Sequence, residues 1–156
     1  MPKGLKLFAA EIGDVEILSA ALEGMITSPG EMSFHKPTRA FTIMGSRFMW
    51  EGLGHEMSGS DSWHRIRSGL YFGDVTAVKA SGISQNTPTE ALELLSLTAH
   101  VVKGSDAEIR LYFAGGGTLL LKTECINLTL TDTGEAWRTE HKPRHEDVDT
   151  TSDQEP

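Results

Sequence analysis

Residues 108 to 132 restrict the fold more than any other part of the chain. Between Glu108 and Phe113, and again from Thr118 onward, apolar side chains recur at every second position, and Gly115, Gly116 and Gly117 separate the two runs. A period of two places alternate side chains on opposite faces of a strand, and a glycine cluster supplies the positive φ of a tight connection. The stretch therefore predicts two long strands joined by a glycine turn, and the architecture it implies is antiparallel β.

Upstream, Leu5 to Ala10 forms an opening strand. Asp14 then stands as helix N-cap ahead of Val15, Leu18, Leu22 and Met25, whose spacing gives one amphipathic helix ending near Thr27, before Pro29 and Gly30. From Met32 the period changes to two. Met32 and Phe34, then Phe41 and Ile43, make a hairpin across the turn Lys36 to Arg39. After Ile43 the large side chains switch from odd to even positions, at Phe48 and Trp50, and a one-residue slip of this kind predicts a β-bulge at Gly45. A similar switch separates Leu119 and Leu121 from Ile126, Leu128 and Leu130.

Gly52 to Ser62 has no period and reads as a long functional loop. His64 to Phe72 alternates again, with Ile66, Leu70 and Phe72 on one face and Arg65, Arg67 and Tyr71 on the other. Val75 to Ala80 and Leu95 to Val101 are further strands, and Thr87 to Glu90 matches a capping box for a single helical turn or short helix from Pro88 to Leu92. With no βαβ alternation, the fold class is α+β, mainly antiparallel: a curved six- to seven-stranded sheet, small roll or barrel with one N-terminal helix. A pleckstrin-homology-like barrel belongs to that class, although its helix lies at the other end of the chain.

A chain of 156 residues that is 38% hydrophobic makes one globular domain, expected over 1–137. Residues 138–156 hold six acids, three bases and one aliphatic side chain, Val148, and read as a disordered acidic tail. No apolar run reaches the length of a spanning helix or a secretory signal, and the single cysteine, Cys125, precludes an internal disulfide. A cytoplasmic location with no membrane partner is expected. The net charge of −8 opposes a nucleic-acid partner.

Arg47, His64, Arg65, Arg67 and Arg110 concentrate positive charge on strands of an acidic protein, and guanidinium groups suit a carboxylate or phosphate ligand. The plainer reading pairs Arg65 and Arg67 across strands with Glu51 or Glu124. Trp63, at the end of the long loop, is the aromatic best placed for a ligand or interface. Cys125 reads as a buried small hydrophobe. His141 and His145 have helical metal-ligand spacing, but Pro143 between them breaks the helix, so no metal site is assigned and no cofactor motif is found.

Arg47 to Glu51, Phe113 to Gly117, Glu124 and Cys125, Asp132, Trp137 to Thr139 and Pro143 to Glu146 together resemble a family of small uncharacterised alphaproteobacterial proteins. The resemblance runs from Leu5 to about Glu146. It implies a cytoplasmic single-domain protein and carries no activity, cofactor or catalytic residue. It also implies that Pro143 to Glu146 docks on the sheet.

No constellation pairs a nucleophile with a base, so the leading expectation is a non-enzymatic binding or interaction module with an unknown protein or small anionic ligand, recognised by Trp63, Arg65 and Arg67 with the 52–62 loop. The alternative is a small-molecule enzyme or carrier with His64 as acid-base and Arg67 as anion anchor at the mouth of the roll. Homodimerisation through an unpaired strand edge is a third.

Overall fold

The structure is a computed structural model and describes residues 3–53 and 63–143. Ten strands and one α-helix follow in the order β1 (Lys6–Ala9), α1 (Ile12–Leu22), β2 (Ile26–Thr27), β3 (Met32–His35), β4 (Ala40–Phe48), β5 (His64–Phe72), β6 (Val75–Ser81), β7 (Leu92–Lys103), β8 (Asp106–Phe113), β9 (Thr118–Thr123) and β10 (Leu128–Arg138). They form one open, curled antiparallel sheet in the order β1-β10-β5-β4-β2-β7-β8-β9-β6, with β3 also paired to β4. The class is the expected one, with more strands than the period alone revealed.

Two-residue β2 splices two larger pieces of sheet, because Ile26 pairs with Ser46 of β4 and with Glu93 of β7. On the concave side α1 buries Val15, Leu18 and Leu22 against a core that includes Phe41, Phe72, Leu97, Ile109, Leu121 and Leu130. Burying side chains of this size contributes about 1.5–3 kcal/mol each. The helix starts earlier than Asp14: Glu11 is the N-cap, and Asp14 reaches back to the Ala10 and Glu11 amides at 3.0 and 3.1 Å. It also ends earlier than Thr27, because Gly24 takes φ +87°, which stops the helix and leads into β2.

Three further expectations are corrected. No bulge occurs at Gly45, since β4 and β5 pair without a break from Phe41↔Phe72 to Phe48↔Arg65. The phase never slips: Phe41, Ile43, Gly45 and Arg47 all face inward, and the fourth of these is an arginine. Residues 119 to 130 are two strands in different pieces of sheet, with β9 between β8 and β6 and β10 between β1 and β5. Pro88 to Leu92 forms no helix, because Leu92 already begins β7 and the Thr87 hydroxyl donates to the Glu90 carboxylate at 3.1 Å in a turn.

β10 continues to Arg138, so the expected boundary at 137 falls inside a strand. The chain beyond it returns to the helix end, where a Cβ on Gly24 would lie 2.4 Å from the Pro143 ring. Residues 144–156, and with them His145 and the rest of the acidic tail, lie outside the described residues, as do residues 54–62 of the long loop.

Candidate functional site

The five candidate residues do not form one surface. Alternation along β5 turns His64 inward and Arg65 and Arg67 outward, and Arg47 faces inward from β4. Arg47 is fully buried and makes five hydrogen bonds: Nε and Nη2 to Asp132 at 2.8 and 2.7 Å, Nη1 and Nη2 to Glu51 at 3.0 and 2.6 Å, and Nη1 to the Phe48 carbonyl at 3.3 Å. A guanidinium has five N–H donors, so none is left for a ligand.

Asp132 is closed in the same way. Its side chain is 0% exposed, and besides Arg47 it accepts from Ser68 Oγ and from the Leu5 amide, each at 2.7 Å. Burial pushes this carboxyl up, but the Arg47 guanidinium, Ser68 and the Leu5 amide outweigh it and hold it below the usual carboxylate range. The sequence carries a signal for the pair. Arg47 shares the odd phase of Phe41 and Ile43, Asp132 shares the even phase of Leu128 and Leu130, and a charge on an apolar phase requires a buried partner.

Arg65 reaches along the outer face to the carbonyls of Gly24 at 3.3 Å and Ser46 at 3.1 Å, and burial lowers its pKa. With the Trp50 indole donating to the Glu23 carbonyl at 2.9 Å, it satisfies oxygens that the end of α1 leaves open. Trp50 belongs to a 3-10 turn rather than a strand. Arg67 pairs with Glu31, and the partner of Glu124 is Arg39 at 2.6 Å. Trp63 is half-buried, its carbonyl accepting from the Thr139 amide at 3.0 Å. His64 is 3% exposed with Nδ1 unpartnered among the described residues.

Cys125 is half-buried in the turn between β9 and β10, not in a strand. Its thiol donates to Asp74 Oδ2 at 3.3 Å, and burial, with Asp74 beside it, pushes the thiol up, away from the thiolate a nucleophile needs.

Space for a ligand lies elsewhere. β3 pairs only with β4, and β6 only with β9, so among the described residues each leaves one edge unpaired. The Val75 amide, at the start of β6, donates to the Arg39 carbonyl at 2.8 Å, and the Gly30 amide donates to the Pro88 carbonyl at 2.8 Å. Between β3 and β6 lies a cleft of about 320 Å³ walled by Pro29, Met32, Phe41, Val78, Ile83 and Leu119. These residues come from separate segments, and no sequence window shows them as a group.

Residues 5–145 match the family described as protein of unknown function (DUF2948). The chain belongs to the DUF2948 family. The match covers every element from β1 to β10, so the Arg47 network and the cleft are both parts of the DUF2948 domain. No curated protein and no solved structure matches the chain. Among the described residues, no helix is long and apolar enough to cross a membrane.

Proposed function

We propose that this DUF2948 protein is a non-enzymatic cytoplasmic binding module that takes up an extended polypeptide segment between β3 and β6. The observation that carries the reading is an apolar cleft bounded by two strands, each with an edge that no other strand pairs among the described residues. Such an edge offers a row of backbone donors and acceptors, and an added strand satisfies them while its alternate side chains enter the cleft. A volume of about 320 Å³ suits a few apolar side chains rather than a large cofactor.

The earlier candidates give less support to an anion site. Arg47 has no free donor, and His64 and Arg67, which an acid-base and anchor pair needs together, stand on opposite faces of β5. The free thiol of Cys125 agrees with a reducing compartment.

The test is a heteronuclear NMR titration of the full chain with a capped peptide of alternating serine and valine. Shifts centred on Met32, Phe41, Val78 and Leu119 are expected. Ala80→Phe, which fills the cleft from an exposed position, is expected to abolish them. Absence of these shifts at millimolar peptide would remove the cleft as the binding site. Native mass spectrometry completes the test: a dimer that Ala80→Phe dissociates would assign the slot to a second copy of the chain.

A further inference from the structure

Beside the cleft, this acidic protein presents positive charge on its convex face. In the registers of β8, β9 and β6, Arg110 stands opposite Leu120 and Leu120 opposite Lys79, while Glu108 stands opposite Lys122. The intervening residues Ile109, Leu111, Leu119 and Leu121 are buried in the core, so alternation turns Arg110, Leu120, Lys122 and Lys79 outward. Glu108 is the acid of this set, and its Oε1 is already engaged by Arg110 Nη2 at 3.0 Å, with His100 Nε2 at 3.5 Å. Lys79 and Lys122 are exposed and form no ion pair among the described residues. Lys79 lies on the strand that, among the described residues, pairs with no strand on its outer edge.

A strand laid along β6 has two kinds of position. Those beside Val78 and Ala80 point into the cleft, because the partners of these residues on β9, Leu121 and Leu119, face the core. Those beside Lys79 point to the convex face. Opposite charges on neighbouring strands attract and like charges repel, so the two kinds of position call for different side chains. The overall charge of −8 does not cancel this preference, because at physiological salt distant charges are screened beyond about 8 Å while Lys79 lies one strand away.

We infer that the segment received between β3 and β6 is an acidic, alternating one: apolar side chains enter the cleft, aspartate or glutamate side chains lie against Lys79, and the backbone pairs with β6. This rests on the reading of the cleft as a recognition groove. The registers carry it further by assigning each face of the bound strand its own chemistry.

The test compares three capped peptides of about eight residues, alternating valine with aspartate, serine or lysine, against the full chain by fluorescence polarisation, with NMR to map the site. The aspartate peptide is expected to bind about fivefold more tightly than the serine peptide and the lysine peptide more weakly than either, with the spread shrinking as salt rises. Lys79→Glu, an exposed substitution expected to leave the melting temperature unchanged, should reverse the order. Equal affinities with shifts at Val78 and Ala80 would overturn the acidic preference and leave the groove standing. Binding by none of the three would overturn both.

Discussion

Arg47 and Asp132 are bound to each other and to their surroundings by every donor and nearly every lone pair they own, which makes the pair a structural rivet rather than a receptor. Its worth depends on completeness, since removing one member leaves the other charge buried. Asp132→Asn is expected to cost about 3 kcal/mol at neutral pH, with Glu51 moderating the loss. The pH dependence follows from the direction of the shift. A carboxyl held below its unfolded value of about 3.9 contributes its stability fully above that value and loses it as pH falls through the lower folded value. The wild type should therefore weaken on acidification below about pH 4, and the asparagine variant should weaken less across the same window. Urea unfolding at neutral and acid pH measures both, and identical pH slopes would contradict the assignment. The arginines of β5 should behave differently. Arg65→Ala strips the donors from the Gly24 and Ser46 carbonyls and is expected to cost about 1–2 kcal/mol, whereas Arg67→Ala breaks only a solvent-exposed pair, for about 0–1 kcal/mol. Paired thermal melts distinguish them, and equal losses would mean that the helix-end contact contributes no more than a surface pair.

At the scale of elements, the two phase changes in the sequence have different causes. The first, after Ile43, comes from an inward-facing arginine in an unbroken strand, and the second, after Leu121, comes from the chain leaving β9 for β10 in the other piece of sheet. A pattern of apolar positions alone does not separate these cases from a bulge, because it records which residues are hydrophobic and not which are buried. Gly45 has a different task from the one its position suggests. Its inward Cβ would lie 2.4 Å from the Ile26 carbonyl oxygen and 2.7 Å from Met25 Cε, so the glycine lets β2 approach β4. Gly45→Ala is expected to cost about 1–3 kcal/mol by pushing the splice away. Gly13→Ala, where the added methyl meets nothing within 4 Å, should be neutral to slightly stabilising. Denaturant midpoints of the two variants check the contrast, and a tolerated Gly45→Ala would show that β2 yields. Elements with an uninterrupted local period, such as β5 and the helix stripe Val15, Leu18 and Leu22, were legible in the sequence. β2 was not, because two residues carry no period.

Over the whole molecule, the sheet curls nearly into a roll and leaves a seam between β3 and β6. Antiparallel curvature was legible, from alternation and the glycine turn at Gly115 and Gly116, which take φ +87° and +95°. The seam was not legible, since it depends on which distant strands fail to pair, and the cleft residues are drawn from both of its sides. Cooperativity should follow this layout. β8 has hydrogen-bonded neighbours on both sides, β7 and β9, and its inward side chains are buried, whereas β6 has β9 alone and is exposed over its last three residues. Local opening is favoured where few apolar contacts and few paired amides must be given up. Hydrogen exchange of the free protein should therefore release amides of Thr76 to Ser81 well before those of Ile109 and Leu111, with Val75, anchored on the Arg39 carbonyl, protected longer than its neighbours. Adding the serine and valine peptide should slow the amides of β6, and of β3 across the cleft, while leaving β8 unchanged, since an inserted strand supplies acceptors only at those edges. Equal protection of β6 and β8 in the free protein would mean that the edge is already covered in solution. Native mass spectrometry would then decide whether a second copy of the chain covers it.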